Sequence, residues 1–469
     1  MNKATACANA AIFAALLSIR PASALEPVGA VGSGEAPRTV TEFAKIRSSA
    51  GCPVAFGASV AVSGDNVVVG APDYITEDGV VGTAYVFHRV GPKWLEVGKV
   101  LPALGGINGE DFGLSVAIEG DYIVIGAPHV IAGFQGGHGR AFNFRRYDRG
   151  TPDDPLDDVW GEDAWLTSPD ERRDGDHYGR SVSISEGAVL VGRPGDEHIS
   201  GSAYLYRKEN EVWRHVGSLS PSDSVLSDQF GKAVSLSGPV ALVGAPQRSD
   251  DGTGSGAAYI FRESGGAWLE EAKLTASDGA LGDFLGATVS IAGDYAVAGA
   301  YGDDDAGPSS GSAYAFEGAG NAWSNETKLT ASDAVSNDSF GQAVAANGDM
   351  ILVGAPRDDF FGAAYLFVRK CDQWVEERKL VASNRPSPDI VGASVALSER
   401  YAFTSAAGKV YVFVLPSAAK SLRDFSAFQL CFRAEDQQLS NECEALDLAP
   451  DGRIDGSDLS EFLALFAGP

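Results

Sequence analysis

Along most of the chain, apolar positions alternate with small or polar ones in short runs that stop at glycine. Ser59 to Val62 and Asn66 to Val69 flank a tight Ser63-Gly64-Asp65 turn, which is the signal of a β-hairpin. Thr83 to Phe87 interleaves small residues with aromatics and predicts a third strand. A fourth begins at Trp94 and ends on the apolar Val100. The first of these strands is poor in bulk, as in Ser59-Val60-Ala61.

This four-strand pattern recurs. A Phe-Gly or similar pair opens each unit, with its glycine at Gly57, Gly113, Gly179, Gly231, Gly286, Gly341 and Gly392. Successive differences are 56, 66, 52, 55, 55 and 51 residues. The second unit is long because Asp148 to Asp163 reads as an insertion rich in Asp and Pro. A Gly-Ala-Pro triplet follows the hairpin at Gly70, Gly126, Gly244 and Gly354. It is altered at Gly192-Arg193-Pro194 and Gly299-Ala300-Tyr301, and lost at Ser405-Ala406-Ala407. Tryptophans open the fourth strand at Trp94, Trp160, Trp213, Trp268, Trp323 and Trp374.

Four short strands at such a period predict one blade of a β-propeller per unit, and hence seven blades. Small first strands suit the crowded axis, and an outer Trp suits the wide gap between blades. The seventh unit ends at Tyr411-Val412-Phe413 with no Trp strand after it. Glu42-Phe43-Ala44-Lys45-Ile46 matches Glu270-Glu271-Ala272-Lys273-Leu274, so the N-terminal segment is expected to complete the last blade. Closure leaves no long free edge.

The Phe-Gly…Gly-Ala-Pro pattern resembles the FG-GAP repeats of integrin α-chain propellers and their bacterial relatives, over residues 40 to 415 or so. The resemblance implies a mainly β, seven-bladed propeller that binds a ligand on the face built from the loops between second and third strands. In such blades Ca²⁺ commonly sits in an Asp-rich loop between the first and second strands. Here those turns are only Ser63-Gly64-Asp65, Glu119-Gly120-Asp121, Ala292-Gly293-Asp294 and Asn347-Gly348-Asp349. They are too short to wrap a cation that takes six to eight oxygens, so these sites do not carry over.

Acids gather instead in the loops of the other face: Asp73, Glu77 and Asp78; Asp250 and Asp251; Asp303, Asp304 and Asp305; Asp358 and Asp359. They read either as solvated turns, which Asp and Gly favour anyway, or as a ring of carboxylates for a cation. Asp303, Asp304 and Asp305 form the candidate cation site among them, because adjacent carboxylates repel unless something relieves them.

After Pro416 the periodicity becomes helical. Residues 424–432 and 458–466 carry apolar positions at i, i+3/i+4 and i+7, which predicts two short amphipathic helices. Before the second lies Asp447-Leu448-Ala449-Pro450-Asp451-Gly452-Arg453-Ile454-Asp455-Gly456-Ser457-Asp458. This stretch resembles the EF-hand loop of a dockerin module. The resemblance implies one Ca²⁺ held by Asp447, Asp451, Asp455 and Asp458 and the backbone carbonyl of Arg453, with Gly452 allowing the bend. Ala449 removes one ligand, and no acid precedes the first helix between Pro416 and Arg423. A dockerin likeness also implies a cohesin-like partner.

Domain limits follow from these signals. Lys3, the apolar Ala10 to Ile19 and Ala22-Ser23-Ala24 read as a signal peptide over 1–24, with a flexible 25–37 next. The propeller spans 38–415 and a dockerin-like helical module 417–469. The expectation is a secreted or cell-surface protein with no membrane span, since the apolar core is far shorter than the roughly 20 residues a bilayer needs. Cys431 and Cys443 are a plausible pair in an oxidising compartment, where such a loop is worth about 3 kcal/mol; Cys52 and Cys371 have no evident partner. The net charge of −27 excludes a nucleic-acid or anionic-lipid binder, which needs clustered Lys and Arg. Six histidines show no metal spacing, and no G-x-S-x-G elbow is present. The expected class is therefore a non-catalytic binding or adhesion protein with a protein or glycan ligand. The alternative is a polysaccharide-associated component docked through its tail.

Overall fold

The computed structural model describes residues 38–49, 55–73, 75–76, 79–80, 82–102, 111–129, 139–150, 155–170, 175–195, 199–319, 322–370, 372–383, 390–406 and 408–415. The expected signal peptide, Cys52, Cys371 and the whole C-terminal module with its Cys431–Cys443 pair lie outside these residues.

Seven antiparallel sheets of the expected kind follow one another. Blade 1 is Ser59–Ser63, Asn66–Ala71, Thr83–Val90 and Lys93–Val100, hydrogen-bonded in that order from inside to outside. Each inner strand packs against that of the next blade, and the seventh (Val395–Leu397) against the first, so the ring is closed. The outer strand of blade 7 is Ala44–Ile46, with Lys45 opposite Tyr411 as the sequence match requires. One strand was not foreseen. Arg38–Thr41 runs parallel to the outer strand of blade 6, Gln373–Val381. The first described residues therefore join two blades. The insertion of blade 2 is also shorter than expected, because Val159–Leu166 is already its outer strand.

The repeated motif has a mechanical reason. The Phe of each pair slides under its own third strand: Phe112 meets Phe142 and Phe144 edge-on at 5.2 and 5.9 Å. The following glycine turns the chain at φ +97° (Gly113), and a Cβ there would sit 2.4 Å from the Thr83 carbonyl of the preceding blade. A Cβ on Gly70 would in turn lie 1.9 Å from the Gly113 carbonyl. The Phe-Gly of one blade is thus seated on the Gly-Ala-Pro of the one before. Ser59 fastens the contact by donating to the Gly113 carbonyl at 2.8 Å, and Ser115 and Ser181 repeat this one blade further on each time.

The tryptophans cover blade interfaces as expected. Trp94 of blade 1 packs edge-on against Phe403 of blade 7 at 5.3 Å, and Trp213 of blade 3 against Tyr122 of blade 2 at 5.9 Å. Tyr85, Tyr204, Tyr259, Tyr314, Tyr365 and Tyr411, all at the same third-strand position, are fully buried.

Candidate functional site

Loops between second and third strands share one face with the connections that lead from each outer strand to the next inner strand; the short hairpins occupy the other. On the loop face a polar unit recurs. In blade 5, Tyr314 and Lys328 are cross-strand partners, which places the ammonium 5.4 Å from the ring centre. The lysine reaches Asp278 at 2.8 Å, Asp303 at 2.8 Å and Asp305 at 2.5 Å. The Tyr314 hydroxyl donates to Asp278 at 2.8 Å and lies 3.0 Å from Asp303. Blade 6 repeats the arrangement with Tyr365, Lys379, Asp333 and Asp358. Blade 4 repeats it with Tyr259, Lys273, Asp223 and Asp250.

Blade 4 differs in one residue. Four positions after its triplet glycine stands Arg248, where blades 5 and 6 have Asp303 and Asp358. Arg248 binds Asp223 at 3.0 Å, Asp250 at 2.8 Å and the buried Asp228 at 3.1 Å. The equivalents of Asp228 are Asp283 and Asp338, both buried. They accept backbone N–H bonds from Ala280 and Val335 but no cation among the described residues. Burial pushes both carboxyls above their ordinary value, and neighbouring Asp303 and Asp358 add to this. Burial opposes the charge of Lys328 as well, yet its bonds to Asp278, Asp303 and Asp305 prevail and hold the ammonium above its usual value.

The expected cation site is placed accordingly. Asp303 and Asp305 come together with Asp278, a residue the sequence reading did not single out, so that one oxygen of each lies within 4.8 Å of the others. Lys328 occupies the middle of that group. Asp304 turns away and caps Ser309 N–H at 2.6 Å. Asp250 and Asp358 are likewise engaged by lysines, so Asp250, Asp303, Asp305 and Asp358 are each held by a cation of the chain itself. Asp73 is exposed; Glu77 and Asp78 fall outside the described residues, as do Asp447, Asp451, Arg453, Asp455 and Asp458.

A second repeated link was missed. A loop serine bonds a glutamate on the outer strand of the following blade through both N–H and hydroxyl: Ser222 with Glu270, Ser277 with Glu326, Ser332 with Glu376 and Ser49 with Glu96. Ser383 holds Glu42 in the same way, so the N-terminal segment carries the full outer-strand chemistry of blade 7. The sequence signal was the Ser-Asp pair at 222–223, 277–278 and 332–333.

Between these polar units the loop tips are apolar and solvent-facing. Leu226 is 63% exposed, Leu281 69% and Phe360 93%, in the loops of blades 4, 5 and 6, and Val225 and Val335 of the same connections are exposed too. Among the described residues no helix is long and apolar enough to cross a membrane.

A family model for the FG-GAP repeat matches residues 42–87, 94–142, 160–206, 213–261, 268–316 and 323–367. No curated protein sequence matches the chain. Similar solved structures include the periplasmic gluconolactonase PpgL of Pseudomonas aeruginosa, at 12% identity and TM-score 0.46, covering 71% of this chain and 86% of that one. Sqt1 of Chaetomium thermophilum is 13% identical at TM-score 0.44, covering 79% and 99%. A Lactobacillus plantarum protein is 11% identical at TM-score 0.44, covering 70% and 86%.

Proposed function

The chain belongs to the FG-GAP repeat family, and from that premise we propose that it is an exported, non-catalytic binding or adhesion protein whose loop face takes a protein or glycan ligand. The observation that carries this reading is the composition of that face. Buried Asp228, Asp303 and Asp358, one in each of blades 4 to 6, are held by an arginine or a lysine of the chain itself. A carboxylate held by a fixed ammonium is poorly placed to exchange a proton with a substrate, as general acid–base work demands. The same loops present Leu226, Leu281 and Phe360 to solvent, and apolar tips ringed by polar groups are what a docking partner covers.

The test is retention of the chain without its signal segment on arrays of extracellular proteins and glycans, beside a Leu281→Asp/Phe360→Asp variant. Selective retention that the variant loses supports the reading. Retention equal in both, or turnover of any arrayed ligand, would overturn it. The calcium loop at 447–458 stays a proposal that rests on its donor set, with Asp447, Asp451, Asp455 and Asp458 supplying hard oxygens.

A further inference from the structure

Seven residues stand directly after the Phe-Gly glycines, each at the foot of an inner strand and hence around the axis on the loop face. Ala58, Leu114, Ala287, Gln342 and Ala393 are uncharged. The other two are Arg180 and Lys232, in adjacent blades. The Ser181 hydroxyl bonds the Gly231 carbonyl at 3.0 Å, so the residues flanking that bond are brought side by side. Both cations are half-buried. Arg248, Lys273, Lys328 and Lys379 on this face are engaged by carboxylates, whereas Arg180 and Lys232 have no ion pair among the described residues. Among the described residues Asp111 is the carboxylate whose field reaches Arg180, and it is already bound by His129. Next to them, the His129 and His177 rings meet edge-on with centres 4.8 Å apart.

A charge removed from water without a partner is costly. That cost shows in both groups: burial holds Arg180 below its ordinary value, and burial together with Arg180 does the same to Lys232. Burial, then His129, Arg180 and Lys232, hold His177 below its own value, which leaves a neutral imidazole able to donate one N–H. Two neighbouring cations whose charges act on each other, with an imidazole close enough to feel both, match the needs of an oxyanion, and the guanidinium can grip two oxygens at once.

We infer that Arg180, Lys232 and His177 form a binding site for a free small oxyanion, a phosphate or a compact polycarboxylate, at the axial mouth between blades 2, 3 and 4. The site is independent of the ligand proposed for the loop tips. A net charge of −27 keeps anions away in general, so occupancy depends on this local field and weakens with salt.

The experiment is calorimetric titration of the full chain with inorganic phosphate and, separately, with citrate at low ionic strength. Two variants accompany it: Arg180→Gln/Lys232→Gln, and the control Lys93→Gln/Arg214→Gln, which removes equal charge at exposed positions. The expected result is saturable binding of one anion per chain, weakened at least tenfold in the first variant and unchanged in the control. The first variant should unfold, without anion, no earlier than the unaltered chain, because it loses unpaired charge; this separates lost binding from lost folding. Absence of saturable heat with both anions, equal binding in the first variant, or an equal loss in the control would each overturn the site.

Discussion

Replacing Lys328 with methionine tests the claim that blade 5 carries its own cation. The change keeps the apolar stem over Tyr314 and removes only the ammonium. Asp303 is 3% exposed and would be left charged inside the protein. Removing one partner of a buried pair typically costs about 3–5 kcal/mol. The bonds to Asp278 and Asp305, whose side chains are 42% and 69% exposed, are each worth under about 1 kcal/mol. With the Lys328 side chain itself 21% exposed, the lower end applies, about 3 kcal/mol. Urea unfolding followed by tryptophan fluorescence reads this loss. Adding Asp303→Asn to Lys328→Met should restore most of it, since the amide needs no counter-charge. Ca²⁺ should raise the midpoint of Lys328→Met above any effect on the unaltered chain, because the three carboxylates then lack their ammonium. A loss below about 1 kcal/mol, or a double variant no better than the single one, would refute the reasoning.

Two further outcomes follow from the geometry and a third from the donor set of residues 447–458. Asp283→Asn should be neutral or stabilising at pH 7 while Asp228→Asn destabilises by roughly 3 kcal/mol, because only Asp228 has a cation, Arg248. A carboxyl raised in the folded state stabilises on protonation, so any benefit of Asp283→Asn fades as pH falls through the raised value and is gone below the ordinary value of about 3.9; urea midpoints from pH 7 to 3.5 check this. Gly113→Ala should cost well over 3 kcal/mol or prevent folding, since the new methyl meets the Thr83 carbonyl, whereas Gly64→Ala at an open hairpin position costs about 1 kcal/mol; denaturation of the two variants compares them. Calorimetry of the full chain with Ca²⁺ should show one site that Asp451→Ala abolishes, and no heat, or heat unchanged in that variant, would remove the calcium proposal.

Much of the ring was legible because the motif residues are those that touch the next blade. Gly113 and Gly70 admit no side chain, Phe112 fills one slot, and Trp94 spans one gap, so each leaves a fixed mark at a fixed spacing. Closure was legible too, since Glu42 and Lys45 copy Glu270 and Lys273. The Arg38–Thr41 strand was not, because a parallel edge pairing uses backbone groups that any sequence has. The charged units were half legible. Asp303 and Asp305 drew notice as a run, but their meaning depends on Lys328, which lies across a sheet and 23 residues or more away in sequence. Asp278 comes from the loop entering the blade, so local composition could not join it to them.

The last strand of the ring, Lys409–Val414, is bonded on one side to Tyr401–Ala406 and on the other to Ala44–Ile46. It ends on the hairpin face, opposite the loops. A tensile load applied between a ligand on those loops and the chain beyond Val414 therefore acts along this strand, and both flanking ladders resist in shear. Their bonds must give way together rather than one by one, so the seam that looks like the weak point of the ring is well oriented to bear traction.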